Sequence, residues 1–138
     1  MTTNAEALRS IPLFSGMSDG SIEIIAGIVR DASFPSGASL VREGEPGDSF
    51  LIIRNGRATV EQGGRTLREL GAGDFLGEIA LIDGGSRTAS VTAVQPIDAL
   101  IIDRQGFSRL MNEFPVIRFN LVNALTQRLR ERRPEPLD

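Results

Sequence analysis

The stretch that decides how this chain is read runs Gly73-Asp74-Phe75-Leu76-Gly77-Glu78-Ile79-Ala80-Leu81 and, after Ile82 to Ser86, continues Arg87-Thr88-Ala89-Ser90-Val91. If Ser86 to Val94 is a strand, alternation of side chains puts Arg87 in line with Ala89, Val91 and Ala93. An arginine on an apolar inward face is costly unless an anion meets it, and the planar fork of guanidinium donors suits phosphate or carboxylate. Gly77 allows close backbone approach, and Glu78 to Leu81 reads as one helical turn whose amides favour an anion. Two anion-binding elements therefore converge on one place.

Glu78 stands nine residues before Arg87. A carboxylate beside an anion site makes chemical sense when it accepts a hydrogen bond from a hydroxyl next to that anion. A ribose 2′-OH meets this requirement, and in a 3′,5′-cyclic nucleotide it is the one ribose hydroxyl left unesterified. Taken singly, both residues have plainer readings. Arg87 suits an internal ion pair with Asp83 or another acid, and Glu78 suits a solvated helix start where it complements the dipole.

Outward from this stretch, Asn4 to Val29 reads as two short helices, with Ser18 as an N-cap and Ile22, Ile25, Ala26 and Val29 at helical spacing. From Asp31 to Asp103 the texture changes to short apolar or β-branched runs: Leu40-Val41, Phe50 to Ile53, Ala58 to Val60, Ser90 to Val94 and Ala99 to Ile102. Turn signals at Pro35 to Gly37, Glu43 to Asp48, Asn55-Gly56, Gly63-Gly64 and Gly71 to Asp74 separate them. Ala58 to Glu61 and Thr66 to Leu70, joined through Gln62-Gly63-Gly64-Arg65, predict a hairpin. Helical spacing returns at Arg104, breaks near Phe114-Pro115, and continues with Ile117, Leu121, Leu125 and Leu129 on one stripe until Pro134 and Pro136. That stripe suits either the core or pairing of two protomers. The fold expected is α+β: a small antiparallel, jelly-roll-like β-roll over about residues 31–103, with helices over about 4–29 and 104–133 flanking it, all in one domain of 138 residues.

Composition bounds the chemistry. Hydrophobic residues make up 41% and charged residues 24%, as in an ordinary folded module. No apolar run approaches a membrane span and Met1 to Ser10 has no signal-peptide pattern, so the expected compartment is the cytoplasm. The absence of cysteine and histidine removes thiol catalysis, the commonest general base and the commonest metal ligand, and no paired-carboxylate motif takes their place. No metal, no cofactor and no enzymatic activity are expected. A net charge of −3 disfavours nucleic acid as the main partner. All 15 cationic residues are arginine, which reads as compositional bias rather than recognition. Arg128, Arg130, Arg132 and Arg133 read as complements to a helix C-terminus.

The segment Gly73 to Val91 resembles the phosphate-binding cassette of the cyclic-nucleotide-binding domain, the ligand-binding module of catabolite activators and kinase regulatory subunits. Leu76 stands where phenylalanine is common in that pattern. The resemblance extends through Phe34 to Gly37, Arg42 to Asp48, Phe50 to Gly56 and the Phe114-Pro115 break. It implies that Arg87 binds the equatorial phosphate oxygens, that Glu78 binds the 2′-OH, and that the amides of Gly77, Ala80 and Thr88 make the remaining contacts. Leu76, Ile79 and Ala89 would line the cavity. Arg128, with Arg132 as a second candidate, falls where a capping arginine closes the purine in some relatives. Thr88 permits a hydrogen bond to guanine, but with no second guanine reader evident in the sequence, cAMP is expected over cGMP. The implied role is a sensor acting on a separate effector protein, with no DNA-binding domain following the module, and with the last helix as a route to a homodimer. Two other readings stand beside it: a metal-dependent cupin enzyme, which the absence of histidine disfavours, and a degenerate module that keeps the fold for protein contacts without ligand.

Overall fold

The computed structural model describes residues 3–131 and, of Ile79, Ala80, Asp83 and Glu131, the backbone alone. Helix α1 (Asn4–Arg9) starts where the Thr3 hydroxyl accepts from the Glu6 amide, and a 3₁₀ turn over Pro12–Phe14 leads to α2 (Asp19–Ala26). The Ser18 hydroxyl caps α2 by accepting from the Ser21 amide at 3.1 Å, as its sequence predicts. Strands β1 (Arg30–Phe34), β2 (Ser39–Val41), β3 (Ser49–Asn55), β4 (Ala58–Gln62), β5 (Arg65–Leu70) and β6 (Phe75–Leu76) follow, then α3 (Glu78–Asp83), β7 (Ser90–Ala93) and β8 (Ile97–Asp103). The chain goes on into α4 (Arg104–Glu113) and α5 (Pro115–Glu131).

The strands form two four-stranded antiparallel sheets, ordered β1-β8-β3-β6 and β2-β7-β4-β5. This is the α+β roll expected. Strand β3 explains how the sheets and helices share a core. Phe50 and Ile52 face the helices, packing with Phe14, Ile25, Phe107 and Leu110, whereas Leu51 and Ile53 face the opposite sheet with Leu76, Val91 and Ala93. A strand buried on both faces reads as a continuous apolar run, which Phe50 to Ile53 is. Each of the larger side chains among them contributes about 1.5–3 kcal/mol by leaving water, so the two clusters hold the site between them.

Three local features differ from expectation. The anticipated strand over Ser86 to Val94 is regular only in β7; Ser86 makes a lone bridge to Pro46, while the Arg87 amide donates to Glu45 O and the Arg87 carbonyl accepts from the Gly44 amide. The Arg42–Asp48 turn, not a neighbouring strand, thus holds Arg87 in place. The hairpin loop is two residues long, Gly63 and Gly64 both at positive φ, and β4 and β5 each gain one residue. Its register passes from Val60 opposite Arg68 to Glu61 opposite Thr66, so Leu67 is an extra, bulged residue.

The α5 stripe is the third. Ile117 and Leu121 are buried and Leu125 partly so, but Leu129 is 74% exposed because the last turns of α5 run past the core. The first half of that stripe is consumed in the core, leaving Phe119, Val122 and Leu129 as the large apolar residues exposed on α5 beyond its first turn. Strands β1 and β6 escaped the sequence pattern, β1 because three of its five residues are exposed and β6 because it has two residues.

Candidate ligand-binding site

Between the sheet β2-β7-β4-β5, the β6–α3 segment and the end of α5 lies a cavity of about 300 Å³, within the range of small-molecule sites. Most of its wall is apolar, from Val41, Val60, Leu67, Leu70, Leu76, Val91 and Leu125. Three arginines, Arg68, Arg87 and Arg128, line it against one carboxylate, Glu78, so the wall carries an excess of positive charge.

Arg87 is the decisive member. It is 7% exposed, yet among the described residues its guanidinium donates only to the Gly77 carbonyl at 3.4 Å and the Ser49 hydroxyl at 3.3 Å, both neutral and both long. Among the described residues no carboxylate forms an ion pair with it; the side chain of Asp83, one partner considered from the sequence, lies outside them. Burial lowers the Arg87 pKa from its ordinary value, Asp48 and Glu78 oppose that shift, and Arg104 adds to it. An arginine so placed stays charged, and the surroundings leave that charge incompletely met.

Glu78 opens α3 and is 5% exposed. Its Oε1 accepts from Arg128 Nη1 at 2.9 Å, whereas Oε2 is buried with no hydrogen-bond partner among the described residues. Leaving a buried acceptor unmet costs about 1–3 kcal/mol, more when it is charged, so this oxygen is suited to a donor that the described residues do not supply. Arg128 also donates to the Phe75 carbonyl and lies over the Phe75 ring, Cζ 4.1 Å from its centroid. One arginine on α5 thereby ties the last helix to the segment that carries Glu78.

Gly77, at φ 96°, makes the bend from β6 into α3. A β-carbon there would sit 2.5 Å from Arg87 Nη1 and 2.6 Å from Ser49 O, so glycine is required both for the turn and for the approach of the guanidinium.

Of the residues predicted from sequence, Leu76, Gly77, Glu78, Arg87, Thr88, Ala89 and Arg128 all line this one cavity. The backbone of Ile79 and Ala80 lies in α3, their side chains lie outside the described residues, and so does the whole of Arg132. Sequence reasoning missed the wall given by the β4–β5 hairpin: Val60, Gln62, Leu67 and Arg68. Gln62 further donates to the Thr88 carbonyl at 2.9 Å, joining that hairpin to the residue after Arg87. Also missed was Ser49, whose hydroxyl supports Arg87.

The model of the family described as cyclic nucleotide-binding domain matches residues 32–114, a stretch that contains Glu78, Arg87 and most of the roll. The chain belongs to this family. It is 30% identical over 129 residues to the cyclic AMP receptor protein of Thermus thermophilus, covering 90% of this chain and 60% of that protein. It is 35% identical over 114 residues to isozyme 1 of the cGMP-dependent protein kinase of Drosophila melanogaster, covering 77% of this chain and 15% of the kinase. The chain thus spans only part of the length of these curated relatives. The crystal structure of a cyclic nucleotide-binding domain from Methylobacillus flagellatus superposes with a TM-score of 0.82 at 29% identity, covering 99% of this chain and 84% of the other. Within the cyclic nucleotide-binding domain family, then, the present cavity pairs a buried, under-partnered guanidinium with a buried, half-partnered carboxylate. Among the described residues no helix is long and apolar enough to cross a membrane.

Proposed function

We propose that residues 1–138 act as one non-catalytic sensor module that binds a 3′,5′-cyclic nucleotide and acts on a separate effector protein. The observation that carries this reading is the pairing, in one cavity, of Arg87 and Glu78 Oε2, the first without a carboxylate ion pair and the second without a donor among the described residues. A cyclic phosphodiester supplies the anion, and the 2′-OH beside it supplies the donor. Arg87 would hold the equatorial phosphate oxygens, with the amides of Gly77, Ala80 and Thr88 completing the phosphate and ribose contacts. Glu78 would accept the ribose proton at Oε2 while Oε1 keeps Arg128. Leu76 and Ala89 would enclose the sugar and base, and the end of α5 with Arg128 would form the lid.

Calorimetric titration of the folded protein with cAMP, cGMP and their 2′-deoxy analogues tests this directly. Saturable binding of a ribonucleotide is expected. The 2′-deoxy analogue should bind more weakly by about 1.5–3 kcal/mol, the range for a hydrogen bond to a charged group. Equal affinity for the deoxy analogue would remove Glu78 from its assigned role. No heat and no rise in melting temperature at millimolar nucleotide would favour the degenerate, ligand-free module instead. The relatives point to both bases, one named for cyclic AMP and one for cGMP. The adenine preference expected from the sequence rests on the lack of a second guanine reader in it, and competition of cAMP against cGMP in the same titration decides it.

A further inference from the structure

We propose that Arg104, at the first position of α4, is a positioning residue for the phosphate site: it clasps the Arg42–Asp48 turn and through that turn holds Arg87 in place. The inference rests on the cyclic-nucleotide reading of the cavity and adds to it a residue that does not line that cavity.

An arginine at the start of a helix needs a reason, because the helix dipole already places positive charge there and disfavours a cation. No acidic residue stands in the first turn of α4 to offset it, and Asp103, which precedes Arg104, caps the helix by accepting from the Gly106 amide at 2.7 Å. The Arg104 side chain instead turns back and donates from Nη2 to the carbonyl of Gly47, 57 positions earlier. Gly47 is buried, and a buried carbonyl left unmet is costly. Among the described residues Arg104 forms no ion pair, so this carbonyl is what its guanidinium is placed to meet.

The turn it reaches is the one that presents Arg87. The Gly44 amide donates to the Arg87 carbonyl at 2.9 Å and the Arg87 amide to Glu45 O at 2.8 Å, so the turn fixes the Arg87 backbone. Ser49, just after the turn, accepts from the Arg87 guanidinium, and it pairs with Asp103 across β3 and β8. The sheet thus secures Ser49, and Arg104, the next residue after Asp103, secures Gly47. Glu43 ties the other end of the turn to Ser90 and Gly63. Gly44 and Gly47 give the loop between these ties a freedom that a clasp must restrict. Among the described residues, the hydrogen bond that joins this turn to the helices is the one from Arg104. Burial lowers the Arg87 pKa most and the charge of Arg104 adds to it, a repulsion that an entering anion relieves.

The test compares the full chain with Arg104→Ala and Arg104→Lys, first without nucleotide and with thermal melts to check folding. In Arg104→Ala, hydrogen exchange at the Gly44 and Arg87 amides should quicken by about five- to 150-fold, the range for an unmet buried polar group. The Ile53 amide, which donates to Asp74 O elsewhere in the roll, should keep its wild-type rate, and the NMR signals of the Arg87 guanidinium should shift. Lysine supplies the one donor that a single carbonyl needs, so Arg104→Lys should return the exchange to within about threefold of the wild type. In titrations Arg104→Ala should weaken cAMP and cGMP alike by about five- to 150-fold, and Arg104→Lys should recover most of that loss. If Arg104→Ala does not fold, Arg104→Met, which keeps the apolar stem without the donor, takes its place with the same expectations. Wild-type exchange at Gly44 and Arg87 in the alanine variant overturns the assignment with no nucleotide needed. Quickened exchange with affinity within about twofold of the wild type overturns it too, since the turn would then not set the phosphate site. So does a lysine variant as impaired as the alanine one, because the donor would then be irrelevant. A folded wild type that binds neither nucleotide sinks the cyclic-nucleotide reading and the phosphate role of Arg104 with it, and quickened exchange would then mark a structural clasp alone.

Discussion

Arg87→Ala is expected to weaken cyclic-nucleotide binding by about 2–5 kcal/mol, roughly 30- to 5000-fold, the range for stripping one partner from a buried charged pair. Stability should behave differently. Within the fold Arg87 is desolvated and held, among the described residues, by two long hydrogen bonds to neutral groups. Replacing it with Met, which fills similar space without charge, should leave the melting temperature unchanged or raise it, because buried charges with poor partners are often no better than apolar residues. Loss of binding with retained or increased stability is the signature of a residue kept for its ligand. If Arg87→Met instead lowered stability by several kcal/mol, the guanidinium would be a structural pillar, and the case for an anion in the cavity would lose its main support. Calorimetry for binding and thermal melts for stability separate the two.

How much of this was legible beforehand depended on whether a residue's role showed in local pattern. Ser18 as a cap, the Gly63-Gly64 turn and the doubly buried run Phe50 to Ile53 each follow from side-chain chemistry or period, and the structure has all three. Arg87 was legible for a related reason. Although β7 begins only at Ser90, Arg87 is buried in line with Val91 and Ala93, while Thr88 is exposed and Ala89 and Ser90 are half-buried. The extended backbone needed for that alternation comes from pairing with the Arg42–Asp48 turn, whose contact with residues 86 and 87 spans some forty positions and leaves no periodic trace.

Arg68 shows the opposite case. With strict period two, only one of Leu67 and Arg68 faces inward, and hydrophobicity selects Leu67, which leaves Arg68 as a solvated surface cation. The register shift that lets both face the cavity is set by pairing with Val60 and Glu61 and has no signal in β5 alone. The same limit applied to α5, where Leu129 continues the stripe of Ile117 and Leu121 by spacing but has no core beside it. Helical periodicity specifies which residues share a side of the helix. It does not say how far along its length a neighbour packs against it.

Gly77→Ala is the second substitution with a large expected effect, and it acts on both fold and site. At φ 96° a residue with a β-carbon is strained by about 1–2 kcal/mol. That β-carbon would also stand 2.6 Å from Ser49 O, backbone of the central strand β3 that has little room to yield, and 2.5 Å from Arg87 Nη1. A total loss of about 2–4 kcal/mol in stability follows, on the scale of overpacking plus backbone strain, read as a fall in melting temperature on the order of 10 °C. Because the guanidinium is the softer of the two obstacles, it should be pushed off its position, so nucleotide binding should fall nearly as far as in Arg87→Ala. The double variant isolates that contact. With Arg87→Ala in the background, one obstacle is gone and Gly77→Ala should cost less, with a coupling of about 0.5–3 kcal/mol, as for residues in direct contact. Strict additivity of the two substitutions in thermal melts, or wild-type nucleotide affinity in Gly77→Ala, would show that the bend at Gly77 does not set the position of Arg87.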